Sequence, residues 1–191
     1  MADSTSDSTT PILEGESLEN KLEKARGKMV EAGFSRPFIW QQPIVSVSSI
    51  LSDAEFNNLI ACVIQSRIHW MTHLGNRLGG PKRADALLKG KGISLILKSI
   101  QVNYRRPVTY PDTLLLSHKP YVPQHGDAKD KESDPTHLYL TSSAFSVVQQ
   151  GFVAHAFETI VWYDYDKLRK CDPGDEYRNA VWDTFGGPPR S

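Results

Sequence analysis

Apolar positions in the first fifteen residues are too sparse to set any period, so residues 1–15 are expected to form a disordered tail. From Ser17 a helical spacing begins. Leu18, Leu22, Ala25, Met29 and Ala32 fall on one face. They predict a short helix capped by Ser17, weakened by Gly27 and ended by Gly33. FIWQQPIVSV (38–47) reads as a strand, with Pro43 pointing to an edge or a bulge. Ser52-Asp53-Ala54-Glu55 has the S-x-x-E form of a capping box. Behind it Phe56, Ile60, Val63, Arg67, Trp70 and Leu74 form one stripe, widened by Leu59, Ile64 and Met71. That pattern predicts a long helix from about residue 53 to about 74, buried on more than one side. Gly75 and then Gly79-Gly80-Pro81 are expected to stop it, followed by a glycine- and lysine-rich link.

The period then changes to that of strands. ISLILKSIQVNY (93–104), TLLLSHKPYV (113–122), HLYLTSSAFSVV (137–148) and GFVAHAFETIVWYDY (151–165) are four strand candidates. A charged loop at 124–136 separates the second from the third, and a tight QQG turn joins the last two. A long helix followed by strands with short links predicts an α+β layer architecture, an antiparallel sheet packed on that helix. The division expected is a tail at 1–15, an accessory helix at 16–33, a main domain at 34–170 and a C-terminal extension at 171–191.

Composition narrows the function. The chain has 191 residues, enough for one domain with a real core. Its 22 basic and 22 acidic residues cancel. A face that must displace counterions from a nucleic-acid backbone is therefore not expected, although a local phosphate pocket is compatible. Two cysteines, Cys62 and Cys171, stand without a CxxC or a His/Cys cluster. No structural metal or disulfide framework is expected, and a reducing compartment fits best. There is no bilayer-length apolar run and no signal-like h-region, so no membrane partner is expected and the cytosol is the default.

Four pieces carry a resemblance: FIWQQPIV (38–45), SRIHWM (66–71), GISLILKSIQVNYRRPVTYPDTLLL (92–116) and FETIVWYDYDKLRK (157–170). Together with the element order, they resemble the 4-hydroxybenzoyl-CoA thioesterase-like group of hotdog proteins, in particular the fungal version. The resemblance implies a hotdog fold, in which an antiparallel sheet wraps a long central helix. It also implies a hydrolase of acyl-CoA or carrier-bound acyl or polyketide thioesters, acting as a homodimer or homotetramer, with secondary metabolism as its setting. No cofactor is implied; CoA or the phosphopantetheine of an acyl-carrier domain comes in as part of the substrate. The site is expected between protomers, where a helix N-terminus offers unpaired N–H groups to a thioester oxygen.

At that point the sequence departs from the pattern. The loop before the family's helix reads like W-G-D-x-D-x-x-x-H-x-N-N, with the second Asp as nucleophile or base. Here the stretch is SVSSILSDAEFNN (46–58). Anchoring on Asn57-Asn58 puts Leu51 at the Asp position, anchoring on SRIHWM puts Ser49 there, and anchoring on QQPIV gives Ile50. No register supplies the acid. The nearby candidates are Asp53 and Glu55, each also explained by helix capping, with Asn57 as a group that polarises a carbonyl. Ser49 is a candidate substrate contact. Arg105 or Arg106 is a candidate for a CoA phosphate, and strand alternation lets at most one of them face a given groove. A catalytically silent binder, or altered chemistry such as cyclisation or dehydration of a ketide chain, stays open beside hydrolysis. His69 and His73 have i, i+4 spacing but lack a third ligand; two partly exposed histidines without a metal is the reading taken.

Overall fold

The computed structural model describes residues 16–44, 53–123 and 134–184, without the side chains of 53–62. Helix α1 (Leu18–Glu31) starts at Ser17, whose Oγ accepts the Asn20 N–H at 3.2 Å. A 3-10 turn (Arg36–Phe38) leads into β1 (Trp40–Ile44). Helix α2 (Asp53–Leu88) follows, then β2 (Ile93–Tyr104), β3 (Asp112–Pro120), β4 (His137–Ser146), β5 (Gly151–Asp164), a short β6 (Arg169–Lys170) and helix α3 (Asp175–Asp183).

The strands form one antiparallel sheet in the order β1-β3-β4-β5-β2, with β6 paired to β5. The sheet curls round α2, which makes this a hotdog fold. Pro43 sits on β1, which pairs with β3 alone among the described residues, an edge position where a proline is tolerated.

The run Leu114-Leu115-Leu116 is continuous rather than alternating because both faces of β3 are covered. Leu114 and Leu116 pack with Val63 of α2, while Leu115 packs on the opposite face with Ala25 and Met29 of α1. The sheet is thus a middle layer between α1 outside and α2 inside. Further along α2, Trp70 and Leu74 pack with Leu140, Ile160 and Trp162, and α3 closes that end with Val181.

The structure departs from the sequence expectation after Gly75. The helix runs on to Leu78, breaks at Gly79 and Gly80, and resumes from Pro81 to Leu88 in place of the expected link. Gly80 has φ +74, a left-handed conformation that reverses the chain without a side-chain penalty. The resumed segment folds back so closely that a Cβ on Gly75 would lie 2.4 Å from Ala84 Cα. α3 falls in the stretch expected only as an extension.

Candidate functional site

The direction of α2 orients the rest of the site. Its early residue Val63 belongs to the same cluster as Val102 near the end of β2 and Val153 near the start of β5. Trp70 and Leu74 belong with Leu95, Leu97 and Trp162 at the far end. The N-terminus of α2 is therefore directed to the end of the sheet where β2 finishes. Asp53, Glu55 and Asn57 lie in the first turns of α2, but their side chains are outside the described residues. Ser49 lies outside the described residues altogether.

Arg105 and Arg106 follow β2 at this same end. Both of their backbone N–H groups donate to the one carbonyl of Val153, at 2.8 and 3.3 Å. Two residues opposite one is a β-bulge, and it breaks the alternation on which the sequence expectation rested. Both arginines consequently line one cavity of about 620 Å³, rather than only one of them doing so. The other walls come from Lys28 and Glu31 of α1 and from Gln150, Gly151 and Phe152 at the start of β5. Lys89 and Lys98 are engaged elsewhere, with Asp85 and His137.

Next to the cavity, His155 is half-buried. Its Nδ1 lies 2.7 Å from Ser143 Oγ, and its ring lies 5.1 Å from Phe152. Burial, and then the positive charge of Arg105, hold the imidazole below its ordinary value. It is a packed histidine that stays neutral at physiological pH.

A second constellation lies between α2 and the inner face of the sheet. Glu158 of β5, 1 % exposed, receives Arg67 Nη1 at 2.7 Å and Ser142 Oγ at 3.0 Å, and its Oε1 is 3.1 Å from His118 Nε2. The other ring nitrogen of His118 is 3.2 Å from Ser66 Oγ. Burial pushes the Glu158 carboxyl up, but the hydrogen bonds and positive charges of His118 and Arg67 outweigh it, leaving the group below the ordinary glutamate range. The serine–histidine–carboxylate order resembles that of a nucleophilic triad. However, Ser66 and His118 are sealed from solvent, so the set acts as a polar lock that fixes α2 on the sheet. Sequence reasoning missed it. The available signal was a His and a Glu at inward positions of otherwise apolar strands.

His69 and His73 are held by rings: Trp40 stacks on His69 at 3.6 Å, and Phe38 meets His73 edge-on at 5.2 Å. These contacts fasten β1 and the 3-10 turn before it to α2. Among the described residues no group of three or more His, Cys, Asp or Glu side chains could hold a metal, and no helix is long and apolar enough to cross a membrane.

The family model described as "Thioesterase-like superfamily" matches residues 54–181. The chain belongs to the thioesterase-like superfamily. Solved structures agree on the fold. A thioesterase from Thermus thermophilus, complexed with coenzyme A and zinc, is 14% identical with a TM-score of 0.55, covering 82% of this chain and 98% of its own. A Staphylococcus aureus protein, SAV2348, in complex with CoA, is 11% identical with a TM-score of 0.55, covering 81% and 87%. A 1,4-dihydroxy-2-naphthoyl-CoA thioesterase from Synechocystis is 12% identical with a TM-score of 0.55, covering 76% and 96%. No curated protein matches the chain. The helix–sheet frame is common to this chain and these structures, and at these identities what they share is the fold.

Proposed function

We propose that this chain hydrolyses the thioester of an acyl-CoA, or of a carrier-bound acyl or polyketide chain. One observation carries the reading within the superfamily: the N-terminus of α2, with Asp53 and Glu55 in its first turn, is directed to the same end of the sheet as the paired Arg105 and Arg106. In this mechanism the first-turn N–H groups of α2 hold the thioester oxygen, assisted by Asn57. Asp53 or Glu55 takes a proton from water as the water oxygen bonds to the carbonyl carbon. The tetrahedral adduct collapses, the C–S bond breaks, and the thiolate leaves with a proton to give free thiol and carboxylic acid. Ser49 contacts the substrate near the carbonyl, and Arg105 and Arg106 hold a phosphate of its CoA.

The active unit in this proposal is a homodimer or homotetramer in the cytosol. Ile64 and Ile68 of α2 are 37% and 44% exposed, and the outer edge of β2 has no strand partner among the described residues. That combination of apolar surface and open edge supports pairing with a second copy. The resemblance to the fungal version supports a setting in polyketide secondary metabolism, with an acyl-carrier domain as a further partner.

The lack of an aspartate in any register of SVSSILSDAEFNN favours a second reading: a silent binder, or a catalyst of cyclisation or dehydration. Free-thiol release from acyl-CoA and N-acetylcysteamine thioesters separates the two, using wild type beside Asp53→Asn and Glu55→Gln. Hydrolysis predicts a fall in kcat of about a hundredfold or more in one variant. Binding of thioesters without turnover by wild type supports the second reading instead.

A further inference from the structure

The cavity beside the bulge holds more than the two arginines. Lys28 reaches it from α1, its Nζ donating to Gln150 O at 3.1 Å. Gln150 in turn donates to Lys21 O and Val147 O, tying α1 to the β4–β5 turn and fixing where Lys28 stands. Arg26, Arg36, Arg67, Arg77 and Arg178 each face an acid. Arg105 and Arg106, in contrast, make no side-chain ion pair or hydrogen bond among the described residues. The cavity therefore gathers three cations against one acid, Glu31, in a chain whose overall charge is zero. Its volume of about 620 Å³ is that of a small-molecule site. The space is shaped as well as charged. A Cβ on Gly151 would fall 2.6 Å from Arg106 Nη1, so the guanidinium lies in room that only glycine leaves.

We propose that this cavity binds the phosphates of coenzyme A, with Lys28 as the third cation, and so makes the enzyme select CoA thioesters over carrier-bound ones. The inference rests on the thioesterase reading and names its substrate class. Planar guanidinium forks pair with carboxylate and phosphate oxygens alike, but three cations against one acid exceed what a lone carboxylate neutralises and match a polyanionic phosphate ligand. CoA carries a pyrophosphate and a 3′-phosphate, roughly four negative charges, whereas carrier-linked phosphopantetheine carries a single phosphodiester. Three cations on one cavity answer the first ligand and exceed what the second needs. The accessory helix α1 thereby acquires a role in recognition besides covering Leu115.

The test measures CoA binding by calorimetry, together with thiol release from one acyl group presented on CoA, on a carrier protein and on N-acetylcysteamine. Wild type is set beside Lys28→Ala, Arg105→Ala/Arg106→Ala and Gly151→Ala. CoA affinity should fall about tenfold for each cation lost. It should also fall in Gly151→Ala, which changes no charge but displaces Arg106. The ratio of kcat/KM on CoA to that on N-acetylcysteamine should drop by a similar factor. Unaltered CoA affinity in Arg105→Ala/Arg106→Ala overturns the proposal. Equal losses on carrier-bound and CoA substrates overturn the selectivity, because the shared phosphopantetheine phosphate would then be the group read. If wild type binds CoA in this cation-dependent way yet releases no thiol from any substrate, the phosphate site is supported and the hydrolase reading fails.

Discussion

Replacing Glu158 by Gln probes the polar lock under α2. The glutamine keeps the shape and one acceptor oxygen, but it removes the charge facing Arg67 at 2.7 Å and offers a donor where Glu158 only accepted. Ser142 can turn to accept from the new amide. Arg67 cannot accept, so the cost falls on its guanidinium. Removing one partner of a buried pair costs about 3–5 kcal/mol. Arg67 retains 14% side-chain exposure, through which water reaches it, and that places this pair at about 3 kcal/mol. For a chain of this size the loss lowers Tm by about 6–12 °C. Arg67→Met should cancel much of that penalty, because no charge is then left without a partner, giving a double-mutant coupling of about 2 kcal/mol. Urea denaturation of the four proteins reads both quantities. A Glu158→Gln cost below about 1 kcal/mol, or the same cost with and without Arg67, would refute the lock. The effect also depends on pH. The folded Glu158 value is depressed, so on acidification the unfolded chain takes up this proton first. The stabilisation is complete above the ordinary glutamate range and is lost as pH falls through the folded value. The gap between wild type and Glu158→Gln should therefore be constant near neutrality and close below about pH 4.

Three other outcomes are expected. Gly75→Ala, which helix propensity alone would make stabilising by about 1 kcal/mol, should instead destabilise, because its Cβ meets Ala84 backbone at 2.4 Å; a raised urea midpoint would contradict the close packing. Ser17→Ala should cost about 1 kcal/mol of local stability in α1, seen as faster amide exchange across 18–31 with the sheet amides unchanged. Ile64→Asp/Ile68→Asp should convert the proposed dimer or tetramer to monomer in light scattering, and an unaltered mass would place the interface elsewhere.

Legibility followed the range of the interaction that decides each feature. The strand at 93–104 was readable to the residue because its apolar run and alternation are local, and the Ser17 cap needed only three residues of context. The resumed helix after Gly80 was not readable. Gly-Gly-Pro is a stop by every local rule, and what brings 81–88 back is a contact between Gly75 and Ala84 across the break. The pairing of Arg105 with Arg106 in one cavity depends on Val153, far along the chain, whose single carbonyl takes both N–H groups. The lock is assembled from Ser66, Arg67, His118, Ser142 and Glu158 on four elements, so no spacing reports it. α3 did leave a trace, since Tyr177, Ala180 and Val181 have helical spacing and pack beside Trp162.

The central claim is tested most directly by thiol release from a series of acyl-CoAs by the purified wild-type chain. The account predicts turnover of at least one CoA thioester, with formation of free CoA and the carboxylic acid in equal amounts. CoA binding without thiol release across the whole series would contradict it, leaving a superfamily fold kept for binding or for a different reaction.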